Sequence, residues 1–366
     1  MSQLNLKTVV HPDCRYFLGY IPCRFHKSEG AHCENCSHYD RIEEKILIIK
    51  LGAMGDVIRT TPLIEKLKIE HPKAAIWWLT LTTEILPPTV DRKLKFDLAT
   101  TLFLENIDFD MLINLDKDPE ACALARRITA KTKFGFTLID GVPSPIDSLA
   151  QPKYLTGLFD DVSKANTKSY PEEIFEICGY RFNGEKYQIN RDGIDGSWNL
   201  PTDKKIVGLN AGCGARWKSR LWPEEYWIEL ATRLKASGYE AILLGGPDED
   251  KKNWRIQKAS GALYFGHFPL KKFIGLMDRC NLIVTAVSMA MHIAIALEKK
   301  LVLFNNIFNK NEFELYGLGK ILEPPECRCY FVAECDRNCM KDLKTDDVYD
   351  AVVELLGAPT DSINRL

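Results

Sequence analysis

Three glycine turns and two cysteine clusters hold the residues of this chain that can do chemistry. In KILIIKLGAMGDVIRTTPLIEKL, residues 45–67, an apolar run ends at Gly52 and Gly55, and Asp56 stands where a helix should begin. A carboxylate there either caps the free N–H groups of the helix or faces a ligand, at a junction where α/β proteins usually hold a phosphate. The second turn, GLNAGCGARWKSRLWPEEYW, carries Asn210, Gly212, Arg216, Lys218 and Arg220 ahead of a helix that starts at Pro223. Three cations beside glycine N–H groups suit a diphosphate, against the plainer alternative of a solvated basic loop. The third, AILLGGPDEDKKN, ends a strand at Gly245 and Gly246 with Glu249 just beyond. That carboxylate either takes the sugar hydroxyls of a nucleotide or caps the next helix. His292, in LIVTAVSMAMHIAIAL, sits on an apolar helix, where a lone histidine is either a satisfied core residue or a participant.

Twelve cysteines are many for such a chain, and eight of them fall into two groups. Cys14, Cys23, Cys33 and Cys36 precede the first strand, in a segment that also holds His11, His26, His32 and His38. Cys327, Cys329, Cys335 and Cys339 follow the last strand, while Cys122, Cys178, Cys213 and Cys280 are scattered. The N-terminus MSQLNLKTVVHPDC shows no signal-peptide core, so disulfides are disfavoured and clustered thiols read first as metal ligands. Four thiolates, or three and a histidine, satisfy tetrahedral zinc or anchor an iron-sulfur cluster. The first group contains a CxxC knuckle; the second, C-x-C-x5-C-x3-C, has none and gives the weaker signal. Free structural thiols are one alternative for both, and a meeting of the two clusters at one end of the fold is another.

These residues need elements to position them, and the chain is long enough to supply two domains. It has 366 residues, 46% hydrophobic and 27% charged, an ordinary globular balance. A net charge of -2 gives no global basic field, so nucleic acid is not the expected partner. No apolar run reaches the length of a membrane span, and the chain reads as cytoplasmic. Strand candidates ILIIKL, AIWWLT and MLINLD alternate with helical patterns up to about residue 195. From residue 204 the alternation restarts through KIVGLN, AILLGG, ALYFG, LIVTA and LVLFN. Strands spaced by helices mean βαβ units and parallel sheets, here twice. The expectation is an α/β chain of two Rossmann-like domains facing across a cleft, where ligands sit outside the carboxyl ends of the strands. Its divisions are a Cys-rich segment at 1–44, one domain at 45–195, a second at 196–345, and a C-terminal helix and tail at 346–366.

Taken in order, ILIIKLGAMGDVIRTTPLIEKLK, GLNAGCGARWKSRLWPEEYWIELATRLK, AILLGGPDED and LIVTAVSMAMHIAIAL resemble the glycosyltransferases of the ADP-heptose:lipopolysaccharide heptosyltransferase type, family 9, which have the GT-B fold. The resemblance runs from about residue 46 to the C-terminus. It implies an inverting enzyme that needs no metal or other cofactor for catalysis. The sugar would move from a nucleotide donor held by the C-terminal domain to a glycan or lipid-linked acceptor held by the N-terminal one. On that resemblance Asp56 is the general base on the acceptor hydroxyl, and Arg220 stands where the family usually has a phosphate-binding lysine, exchanging a point charge for a planar fork. Asn210, Gly212, Arg216, Lys218, Gly245 and Gly246 belong to the donor loops. Glu249 falls at the donor ribose, Phe268 near the base, and Ser288 and His292 on the loop and helix that approach the donor. Gly52, Gly55, Arg59, Thr60 and Lys117 fall on the acceptor side, although NLDKDPE, which contains Lys117 and Asp118, equally suits a helix cap near Pro119.

One departure bears on the donor. Where the family reads Asp-Ser/Thr-Gly before the histidine-bearing helix, this chain has Val287, Ser288 and Met289. It loses a carboxylate suited to donor hydroxyls and a glycine that allows close backbone approach. Three readings follow: ADP-heptose transfer to lipopolysaccharide or a related surface glycan at the inner membrane surface; transfer of another sugar to a protein or other acceptor, with the cysteine clusters as a platform for oligomers or partners; or a nucleotide-binding protein that has lost catalysis.

Overall fold

The structure, a computed structural model, describes residues 9–194, 196–214 and 216–357. The expected tail at 358–366 and the first eight residues of the Cys-rich segment lie outside the described residues. The chain packs into two compact units, each with its own sheet. The first comprises Met1–Gly52, Leu63–Thr83 and Pro88–Ala150; the second comprises Ala53–Pro62, Glu84–Pro87 and Gln151–Leu366.

In the first unit β1 (Glu44–Ile49), β2 (Ala74–Thr80), β3 (Arg92–Lys95), β4 (Phe109–Asn114), β5 (Ala130–Ile139) and β6 (Val142–Pro145) pair in the order β3-β2-β1-β4-β5-β6. All the pairings are parallel except β5 with β6. The central strands are buried on both faces, which is why their sequences are near-continuous apolar runs. The order of the strands reverses between β1 and β4, and there Lys50 and the backbone N–H of Leu51 both donate to the buried carboxylate of Asp116. Gly52 and Lys117 follow these two strands. The Cys-rich segment is built differently: from residue 9 to residue 45 no side chain is fully buried. It is held by polar contacts, chiefly Arg15 with Asp40 (2.7 Å) and Asp91 (2.9 Å), and by a single bridge between Cys14 and Arg41.

In the second unit β7 (Ile206–Asn210), β8 (Glu240–Leu244), β9 (Leu282–Ala286), β10 (Lys300–Phe304) and β11 (Gly319–Leu322) form an all-parallel sheet in the order β11-β10-β9-β7-β8. ALYFG, expected as a strand, contributes only one bridge, Leu263 to Ile242. The helix Glu224–Ala236 buries Trp227, Leu230, Ala231 and Leu234 against this sheet. The reversal point lies between β7 and β9, the place where doubly wound sheets open a ligand crevice at their carboxyl ends. Among the described residues no helix is long and apolar enough to cross a membrane.

Candidate active site

Two adjoining cavities lie at that reversal point, and both are lined wholly by the second unit. The smaller, of about 390 Å³, is bounded by the carboxyl ends of β7 and β8. Its walls include Asn210, Gly212, Gly245, Gly246, Glu249, Phe268, Ser288 and Met289, so eight of the expected donor residues or their neighbours meet here. The larger, of about 580 Å³, holds Asp56, Arg59, Arg216, Arg220 and His292. Met54, Cys213, Gly214, Ser288 and Met289 line both, so the two cavities share a wall.

The smaller cavity is a slot made partly by absent side chains. A Cβ on Gly212 would lie 2.1 Å from Glu249 Oε1, and one on Gly245 would lie 2.8 Å from Glu249 Cβ. Glu249 is therefore seated between two glycines, and its Oε2 accepts the Gly246 N–H at 2.9 Å. The carboxylate does cap its turn, as one reading of the sequence required, and its other oxygen lies toward Gly212. Asn210 donates through Nδ2 to Thr285 Oγ1 (2.9 Å) and to the Gly212 carbonyl (3.0 Å), locking β7 to β9 across the reversal point. Ser288 precedes the helix Met289–Ala296, with its Oγ 3.1 Å from Thr285 Oγ1. Phe268 closes the slot on the far side, packed edge-to-face with Trp198 at 5.1 Å between centroids.

Asp56 is held from two sides in the larger cavity. The helix Met54–Thr60 begins at Ala53, whose N–H donates to Asp56 Oδ2 at 3.2 Å, while Oδ1 pairs with Arg59 Nη2 at 2.7 Å. Asp56 is thus both a cap and an ion-pair partner, and its side chain keeps 33% exposure toward the cavity. Arg59 is the more deeply placed of the two. Its guanidinium lies 3.5 Å above the Tyr170 ring and 3.7 Å from Glu312 Oε2. Burial opposes the Arg59 charge, but Asp56, Tyr170 and Glu312 more than offset it and hold the guanidinium above its ordinary pKa. Thr60 Oγ1 donates to the Asp56 carbonyl at 2.7 Å, within its own helix.

His292 lies beneath the same helix, its ring 6.1 Å from Tyr187 and tilted 26° from it. It is 6% exposed, and its Nδ1 has no hydrogen-bond partner among the described residues. Burial, reinforced by the Arg59 cation, pulls its pKa down to about 3, so the imidazole is neutral at neutral pH. It serves as a neutral packing surface for the helix that carries Asp56.

The cationic loop divides into two roles. Arg216 and Lys218 are exposed. Arg220 is buried and donates to the carbonyls of Val287, Cys213 (2.8 Å) and, through Nε, Trp217 (3.4 Å). Those bonds commit three of its five N–H groups to fastening the loop to residue 287, and two remain for an anion. Sequence reading missed Glu312, Tyr170 and Tyr187, which are remote from the motifs in the chain. It also missed Lys252, whose ammonium donates to the Ala211 carbonyl at 2.6 Å beside the slot. In the first unit Lys117 lies 5.9 Å from the Phe136 ring, and Gly52 borders Leu81.

The cysteines divide against expectation. The N-terminal four line one small cavity of about 20 Å³ with Phe25 and His38. Among the described residues, however, only Cys327, Cys329 and Cys339 bring three ligand atoms within 4.8 Å of one another. Cys335 joins them, 3.5 Å from Cys339 Sγ.

Two doubly wound, largely parallel sheets, each in its own unit, are the architecture of the GT-B fold. The chain belongs to glycosyltransferase family 9 (heptosyltransferase), whose sequence model matches residues 101–308. It is similar to lipopolysaccharide heptosyltransferase 2 of Salmonella typhimurium, at 29% identity over 112 residues, 29% of this chain and 32% of that protein. The match therefore spans about a third of that relative's length. In fold it is similar to a family 9 glycosyl transferase of Veillonella parvula, with a TM-score of 0.68 and 19% identity over 86% of this chain and 97% of that one. It is also similar to the dodecameric, iron-containing heptosyltransferase TibC of enterotoxigenic E. coli, solved with ADP-D-beta-D-heptose (TM-score 0.55, 14% identity, 88% of this chain and 79% of that one).

Proposed function

We propose that this chain transfers a sugar, heptose from ADP-heptose, to a hydroxyl of lipopolysaccharide or a related surface glycan, with inversion at the anomeric carbon. The observation that carries the reading is the wall shared by the two cavities: a nucleotide in the slot presents its diphosphate at that wall, next to Asp56. Asp56 takes the proton of the acceptor hydroxyl, which attacks the anomeric carbon from the face opposite the leaving diphosphate. Arg216, Lys218, the free N–H groups of Arg220 and the backbone of Gly212 to Gly214 meet the charge of the departing diphosphate, so no divalent ion is needed at the reacting bond. Gly55 and Thr60 are proposed to face the acceptor, at the cytoplasmic surface of the membrane. The binding of ADP-heptose by TibC and the lipopolysaccharide substrate named for the Salmonella relative support these choices. The N-terminal thiols are proposed as a separate structural metal site, and an oligomer is compatible with the cysteine-rich surfaces.

Val287 and Met289 favour a second reading, the same reaction with a different nucleotide sugar. The carbonyl of Val287 is taken by Arg220, and Met289 fills part of the shared wall where a glycine would leave room. Calorimetric titration with ADP, UDP, GDP and their sugars tests both readings. ADP-selective binding with heptose transfer supports the first, and selective binding of another nucleotide sugar supports the second. No binding of any nucleotide would remove the transferase reading.

A further inference from the structure

The C-terminal thiols are brought together by a loop held otherwise by a few hydrogen bonds and ring contacts at residues 330–333. From Pro325 to Asn338 no side chain is fully buried and no regular secondary structure forms. Three of its residues that are not glycine adopt left-handed backbone, Glu326 (φ 57°), Phe331 (φ 48°) and Asn338 (φ 49°). Such conformations persist only where the surroundings over-determine them. Ring packing supplies part of that determination at Phe331, while Glu326 and Asn338 are exposed.

Four sulfurs converge beside these residues. Cys339 is buried, 3.5 Å from Cys335 Sγ and 3.9 Å from Cys329 Sγ; the sulfurs of Cys327, Cys329 and Cys339 lie within 4.8 Å of one another, and Cys335 stands beside that group. Four thiolates around one tetrahedral ion at about 2.3 Å stand about 3.8 Å from each other. The observed separations match that edge and are too long for a disulfide. A cluster with its own iron and sulfide core would hold the thiolates farther apart.

Cys329 and Cys335 also bracket the residues that touch the cationic loop. Ser219, between Lys218 and Arg220, donates its N–H to the Ala333 carbonyl (2.9 Å) and its Oγ–H to the Val332 carbonyl (2.7 Å). Phe331 packs edge-to-face on Trp217 (5.9 Å) and on Phe308 (5.2 Å). The strap 330–334 is therefore anchored at both ends by thiols and fastened in the middle to residues 217–219.

We infer that Cys327, Cys329, Cys335 and Cys339 bind one thiophilic tetrahedral metal ion, zinc or iron, and that this ion positions the cationic loop 216–220 for a diphosphate. The positioning role rests on the donor reading above, and the metal site does not. Elemental analysis of the purified chain identifies the ion, with the N-terminal thiols left intact so that differences between variants report this site alone. Cys335→Ser should lower the metal content by one equivalent, speed amide hydrogen exchange at 216–220 at least tenfold, and weaken ADP binding about tenfold. Cys335→His, which restores a ligand, should recover all three. Chelation of the wild-type chain followed by Zn²⁺ alone should reverse the exchange change, which separates positioning from misfolding. Cobalt in place of the native ion should give visible bands of tetrahedral thiolate coordination. Unchanged metal content in Cys335→Ser would overturn the site. Loss of the ion with unaltered exchange at 216–220 would overturn the positioning role. Both measurements decide the proposal even if the wild-type chain binds no ADP, a result that would count against the donor reading instead.

Discussion

The His292 ring occupies the space that a side chain at Gly55 would need: a Cβ there would lie 2.5 Å from His292 Cδ2. Gly55 immediately precedes Asp56, so this contact sets how closely the carboxylate's helix approaches the helix Met289–Ala296. Gly55→Ala should destabilise the chain by about 1–3 kcal/mol through overpacking. Turnover should fall more than nucleotide affinity. Adding His292→Ala should restore part of the stability, giving a non-additive cycle in denaturant unfolding. Simple additivity would mean the two residues do not press on each other.

Asp56→Asn keeps the shape and the Arg59 neighbour but removes the base. A general base is worth about 10²- to 10⁴-fold, so kcat should fall on that order while calorimetric ADP affinity stays nearly constant. Full turnover in the variant would leave Asp56 as a helix cap only.

The slot should fail independently of the base. In Gly212→Ala the new methyl would meet Glu249 Oε1 at 2.1 Å, and Glu249 cannot retreat without losing the Gly246 N–H. Nucleotide affinity should drop at least tenfold, and the unliganded chain should lose some stability as well, because the displaced carboxylate leaves the Gly246 N–H. If ADP bound Gly212→Ala as tightly as the parent, the slot would not hold the nucleotide.

His292 makes stability depend on pH. Its pKa is near 3 in the folded chain and 6.5 in an ordinary environment. As pH falls below about 6.5 the unfolded chain takes up a proton that the native chain refuses until about pH 3, so stability declines through that window, by up to about 1.4 kcal/mol per pH unit. Above pH 6.5 the contribution is fully present. His292→Gln should therefore flatten the decline between pH 6.5 and 4 in urea titrations; an unchanged slope would assign it to other groups.

Much of this was legible in the sequence. The runs ILIIKL, AIWWLT, KIVGLN and LIVTA declare buried parallel strands because both faces must be apolar. RKLK of β3 and the Lys-containing start of β5 carry charges and lack that signature, and GKIL of β11 is only four residues long. The glycine-lined slot was legible because glycines mark close approach, and Gly212 and Gly245 do leave room for Glu249. The support of Asp56 was not: Glu312 meets Arg59 across some 250 residues of chain, and no local pattern encodes such a pair. Cysteine spacing misled in one respect. The CxxC group promised the tighter cluster, yet the C-x-C group converges, because positive-φ turns at Glu326, Phe331 and Asn338 fold its loop back on itself.

Met54 and Met289 are two of the five residues that line both cavities, with Cys213, Gly214 and Ser288. Thioether chains are pliable and polarizable, and they exert little directional demand on whatever lies against them. Discrimination is steep where buried hydrogen-bonding groups are left unpaired by the wrong ligand and shallow against a soft apolar surface. Fidelity in this chain would then be graded along the donor, strict at the nucleotide end beside Glu249 and Asn210 and lenient at the sugar, so that an altered hydroxyl pattern costs less than an altered nucleotide.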